Sequence, residues 1–167
     1  MLDLRLAYFV TQRSERRDHP RTMFDGTLQT RLACKQVIVS LHAATGATMG
    51  SLVQSRTAAA LLGIPLHIAG DRVPHRDIPD RRFEIGSGLL VVVLVAARRG
   101  LTDKATIGAV MTCLPDLEHV IPLPRPGGSK LFHGRRGWHR SGPLSASAQL
   151  LIAAALLGRV LAAPRHG

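Results

Sequence analysis

Apolar and polar positions segregate along this chain into blocks rather than into stripes. Residues 37–53, 57–70, 85–97 and 105–115 contain no Asp, Glu, Lys or Arg, and residues 144–163 contain only Arg159. A helix on the surface of a soluble protein shows a polar stripe at the helical period. Residues 85–97 (IGSGLLVVVLVAA) carry Gly and Ser but no charged face. The blocks therefore predict helices with apolar surroundings. The first and last reach the ~17–20 residues needed to span a bilayer's hydrocarbon core. The middle three are short, and on length alone they also fit the core of a soluble helical bundle. The expected fold class is all-α: an integral membrane helical bundle of about four to five short helices. It covers residues 37–163, after a basic N-terminal tail, 1–36, expected to be disordered. Gly46 and Gly50 form a GxxxG, a spacing that lets helices approach closely in lipid.

Charge gives those blocks a direction. The chain has 167 residues, one domain by length, with 22 Lys+Arg against 11 Asp+Glu and a formal net charge of +11. Lys and Arg accumulate in short cytoplasmic loops of membrane proteins. With five crossings and the N-terminus inside, the inside segments 1–36, 71–84 and 116–142 hold seven, four and five basic residues. The outside segments hold one, three and one. The excess of positive charge also suggests nucleic acid, but it explains neither the uncharged blocks nor the histidines, and aromatics are only 4%. No specific nucleic-acid partner is expected. Cys34 and Cys113 are far apart and form neither a disulfide framework nor a CxxC site.

Ionisable residues in or beside membrane segments are costly and usually functional. Six histidines lie between the tails: His42, His67, His75, His119, His133 and His139. In HIAGDRVPHRD, His67 and Asp71 stand one helical turn apart, and Pro74 predicts that the helix ends before His75. A carboxylate in a last helical turn opposes the helix dipole, so Asp71 needs a metal or a cationic side chain beside it. In LPDLEH, Asp116 and His119 share a face at i, i+3, with Glu118 pointing elsewhere on a continuous helix. FHGRRGWHR brings His133 and His139 around Arg135, Arg136 and Arg140, with His139 the expected ligand. All of these map to one membrane side under a topology set by Lys and Arg alone. The metal-ligand pool is His42, His67, Asp71, His75, Asp116, His119 and His139. A mixed His/Asp set suits a divalent metal, Zn²⁺ first, with Mn²⁺ or Fe as alternatives. Asp77 and Glu118 are the candidate general bases, and Arg135, Arg136 and Arg140 the candidate phosphate or anionic-headgroup binders.

With these motifs in hand, the chain resembles the membrane-bound metal-dependent hydrolases, a family of small bacterial inner-membrane proteins. The likeness runs over roughly residues 37–163 and is carried by LHAATG, HIAGDRVPHRD, LPDLEH and FHGRRGWH. Residues 1–36 fall outside it, and Glu118 stands where Asp is commoner. The resemblance implies a multi-pass protein of the bacterial inner membrane, N-terminus cytoplasmic, with the lipid bilayer as partner. It also implies metal-dependent hydrolysis of a phosphoester or lipid-like substrate. The competing reading is a non-catalytic membrane protein whose His/Asp cluster is structural or binds or transports metal.

Overall fold

Each uncharged block carries one helix. A computed structural model describes residues 38–76, 78–121, 123–133 and 140–164. The tail 1–36 lies outside the described residues. The helices are α1 (Val39–Leu52), α2 (Arg56–Asp71), α3 (Arg81–Arg99), α4 (Lys104–Cys113) and α5 (Ala146–Ala162). A 3-10 helix, Leu114–His119, continues α4 through Pro115. The architecture is all-α, with five α-helices and no strand among the described residues.

Local chemistry sets the helix limits. Ser55, Asp80, Asp103 and Ser145 cap α2, α3, α4 and α5, each side chain accepting from a backbone N–H of the first turn. In α3, Glu84 lies in the first turn and Arg98 and Arg99 in the last, each complementing the helix dipole. Gly100, at φ +100°, ends it. The helix that carries His67 stops at Asp71, ahead of Pro74, as the sequence predicts.

The bundle is built around α1, which packs against the other four helices. Its partners come close because the contact positions are small. A methyl group at Gly46 would run into the backbone carbonyl of Gly108 on α4, and one at Gly108 would run into that of Gly46. The GxxxG thus packs α1 on α4. The buried cluster is likewise small: Ala43, Ala44, Ala47, Ala105, Ala109 and Ala153, with Val91, Val95 and Val160. Large apolar side chains face outward instead, including Leu61, Leu89, Leu90 and Leu151, each more than half exposed.

Helix length departs from the expectation of five crossings. No described helix is both long and apolar enough to cross a membrane. α1 has 14 residues, about 21 Å at 1.5 Å per residue, against a hydrocarbon core of about 30 Å. α3 has 19 residues, but both of its ends are charged.

A short strap joins the α2 exit to the α5 entry. The N–H of His75 donates to the carbonyl of Arg140, that of Arg76 to Leu144, and that of Gly142 to His75. Fully buried Gln149 on α5 donates from Nε2 to the Arg76 carbonyl at 2.7 Å. This pins the end of α2, and with it Asp71, against the bundle.

Candidate metal centre

Four elements deliver side chains to one buried point. α1 supplies His42, α2 supplies His67 and Asp71, the 3-10 helix supplies Asp116, and the segment after Lys130 supplies His133. Asp71 Oδ2 lies 3.4 Å from both His67 Nε2 and His133 Nε2. Asp116 Oδ1 lies 3.8 Å and 3.5 Å from the same two nitrogens. The two nitrogens are 3.3 Å apart.

The tautomers follow from the partners. His67 Nδ1 sits 2.9 Å from the Thr112 carbonyl, which only accepts, so Nδ1 carries the proton. His133 Nδ1 donates to Glu118 Oε1 at 2.6 Å. When a ring carries only that Nδ1 proton, its Nε2 lone pair points inward, at the oxygens of Asp71 and Asp116. Four acceptors converging in a buried space repel one another unless a proton or a cation stands between them.

Asp116 sharpens the point. It is 7% exposed, and neither of its carboxylate oxygens has a hydrogen-bond partner. A buried carboxylate without a hydrogen bond needs a compensating partner, and a cation is one that this donor set suits. Burial raises its pKa, against the pull of the nearby His42, His67 and His133 imidazoles, so metal-free Asp116 resists ionisation. Zn–N and Zn–O distances of about 2.0–2.1 Å place neighbouring donors of a tetrahedral shell about 3.3 Å apart. The spacings within His67–Asp71–His133, 3.3–3.4 Å, match that scale, and the Asp116 oxygen lies 3.5–3.8 Å from the two imidazole nitrogens. The residues present fit a divalent metal ion.

The surrounding groups hold this set in place. His42 Nε2 is 3.2 Å from Asp71 Oδ1, and its ring stacks on His67 with centroids 4.1 Å apart. Glu118 spends its acceptor capacity on one segment. Oε2 accepts the backbone N–H groups of Leu131 and Phe132, and Oε1 accepts both the backbone N–H and the Nδ1–H of His133. Burial works against its charge, but those N–H groups outweigh it and lower its pKa. The same bonds act on His133: burial opposes its protonation, but Asp71 and Glu118 raise its pKa. His119 packs edge-on to His133 and contacts Lys130 through Nδ1. Burial, then the charges of His133 and Lys130, push its pKa down to about 3.

Several expectations change. Glu118 is no free base; it is the positioning partner of His133. On the 3-10 helix it is buried, where a continuous α-helix pointed it away. His75 lies in the strap, with Nδ1 donating to the Val73 carbonyl, and it is in none of the donor groups found among the described residues. Among the described residues, His133 is the loop histidine seen in the cluster; no feature of the sequence ranked it first, because Glu118 and the Leu131–His133 backbone meet only in the fold. His139, Asp77, Arg135 and Arg136 lie outside the described residues. Arg140 is exposed, and its backbone N–H donates to the Asp71 carbonyl at 3.3 Å. His42, Asp116 and His119 do fall within the cluster. The donor atoms form three overlapping groups, His67–Asp71–His133, His42–His67–Asp116 and Asp116–His119–His133, each spanning no more than 4.8 Å.

Comparison of the chain with protein-family models, curated proteins and solved structures finds no match.

Proposed function

We propose that this protein is a membrane-bound, metal-dependent hydrolase acting on a phosphoester or lipid-like substrate. The observation that carries the reading is the convergence of His67, Asp71, Asp116 and His133 on one buried point. A divalent metal held there would polarise a scissile oxygen and activate water near neutral pH. Each protein group then has a stated task. Glu118 and Thr112 fix the two imidazoles with Nε2 inward. His42 orients Asp71 through its second oxygen. With Glu118 committed to His133, the Oδ2 atom of Asp116 is the carboxylate among the described residues that would accept a proton from an attacking water, with Asp77 the other candidate base. Arg140, with Arg135 and Arg136, would hold an anionic headgroup or phosphate.

The bilayer setting draws support from the distribution of size and polarity. Helix contacts are made by Gly and Ala, and large aliphatic side chains point out. Helices pack through small residues where lipid removes the hydrophobic drive between them. An apolar exterior this extensive marks a surface meant for lipid or for a partner. The resemblance of the motifs and the Lys/Arg asymmetry favour the cytoplasmic side of a bacterial inner membrane.

A second reading rests on the same geometry. If Asp116 joined His67, Asp71 and His133 on one ion, four protein donors would close a tetrahedral shell, and closed shells are typical of structural metal sites. A structural or transport role for the metal follows if no donor yields to substrate. The two readings separate on incubating the metal-loaded full-length protein with phosphomonoesters, phosphodiesters and phospholipids. Release of phosphate, alcohol or fatty acid that Asp71→Ala abolishes supports the hydrolase. Stoichiometric metal with every substrate intact favours the second reading.

A further inference from the structure

An apolar groove of about 260 Å³ runs between α3 and the α4–3-10 segment. Ile85, Leu89 and Val92 form one wall, Val110 and Leu114 the other, and Val39 of α1 contributes to the lining. The lining is mostly hydrocarbon, with Asp116, His119, Arg81 and the Cys113 thiol as the exceptions. Asp116 and His119 belong to the metal cluster, so this groove abuts the proposed chemistry. Arg81 adds a guanidinium close enough for its charge to act on the His119 imidazole. A long apolar wall, a cation and a metal-binding edge together describe the outline of an amphiphile.

We propose that this groove is the hydrocarbon subsite of the metal centre: it takes one aliphatic chain of an anionic amphiphile whose acidic headgroup lies between Arg81 and the Asp116–His119 edge. The substrate is thereby narrowed from phosphoesters in general to those esterified to an alkyl or acyl-bearing alcohol. A volume of 260 Å³ has room for on the order of eight groups of water or methylene size. The subsite therefore measures one chain to about that length and leaves any remainder in the surrounding apolar phase. Leu89 and Val110, on facing walls, set the bore, and Arg81 sets the headgroup charge. The inference rests on the hydrolase reading for its chemistry but on the groove alone for its chain selectivity.

The test uses full-length protein in amphipol, whose tethered alkyl chains are the same in every sample, with a homologous series of n-alkyl phosphates as probes. Metal content is measured by elemental mass spectrometry on the same samples. Binding is expected to tighten by roughly threefold to fourfold per methylene, from the transfer of CH₂ out of water, and to level off at about eight carbons. Leu89→Trp and Val110→Trp fill the groove from opposite walls at exposed positions, so at least one of them is expected to fold. Each is expected to weaken decyl phosphate at least tenfold with metal retained. Leu151→Trp, on exposed α5, is expected to change nothing. Arg81→Gln is expected to weaken decyl phosphate severalfold but to leave decanol unaffected. Affinity independent of chain length, or undiminished in a folded groove-filling variant, overturns the subsite while leaving the hydrolase reading in place. Cross-linking of Leu89 or Val110 to a second copy of the chain or to another protein, with no dependence on alkyl phosphate, also overturns it. Chain-dependent binding by wild type that purifies without metal, lost in the tryptophan variants, upholds the groove and removes the hydrolase reading instead.

Discussion

Glu118 accepts the Nδ1–H of His133 at 2.6 Å, and the opposite nitrogen of that ring lies 3.4 Å from Asp71. This carboxylate–histidine relay fixes the tautomer and the orientation of a ring that arrives from a loop rather than from a helix. Glu118→Gln keeps the volume but places an amide among four N–H donors. Metal affinity is expected to fall about 10- to 100-fold with the fold retained. Competitive chelator titration checks it; an unchanged affinity removes the relay.

Protons compete with the metal at His133. Its folded pKa lies above the ordinary histidine value, so metal-free protein keeps the proton past that value. The stabilisation from that proton is fully present below the unfolded pKa and is lost as pH rises through the folded one. Metal binding needs Nε2 free and has the opposite slope. The gap in Tm between metal-loaded and metal-free protein is therefore expected to widen as pH rises from about 5.5 to 8. A gap that narrows over this range contradicts the assignment of His133.

The α1–α4 contact admits no added atoms at Gly46. Gly46→Ala pushes a methyl into the Gly108 carbonyl and into Thr112, the residue whose carbonyl orients His67. The expected cost is about 1–3 kcal/mol, typical of overpacking. Weaker metal binding should accompany it, because the two helices carry His42 and, through Thr112, the His67 tautomer. Denaturant melts and metal titration on the same variant test both effects. Gly158→Ala, where a methyl meets nothing within 4 Å, is the control.

The outward leucines make a claim about where the protein resides. Under the proposed function it stays with membranes through alkaline carbonate washing and needs detergent for extraction. Quantitative release into the wash contradicts the bilayer reading and assigns the apolar exterior to a protein partner.

The sequence revealed helices and some donors, but not how loops close on them. Four uncharged blocks and a fifth carrying only Arg159 became five helices, because such runs bounded by Ser, Asp and Gly carry both propensity and caps. His67–Asp71 and Asp116–His119 were legible because their pairing is local, a turn or less of helix apart. His133 was not ranked first: it is 66 residues from His67, and the tie that places it runs through Glu118 and three backbone N–H groups. Glu118 itself was misread because a 3-10 helix turns faster than the α-helix assumed for it. His75 follows Asp71 with promising spacing, yet backbone pairing with Arg140 and Gly142 carries it into the strap. Groove and cation were equally hidden, since Arg81 reads as one of several loop arginines until α3 packs.

The most direct measurement is the metal content of purified full-length protein by elemental mass spectrometry, with Asp71→Ala and His75→Ala beside the wild type. A site built from His67, Asp71, Asp116 and His133 is expected to hold near-stoichiometric divalent metal in wild type, to keep it in His75→Ala and to lose it in folded Asp71→Ala. Metal absent from wild type, or retained without Asp71 and lost without His75, contradicts the site.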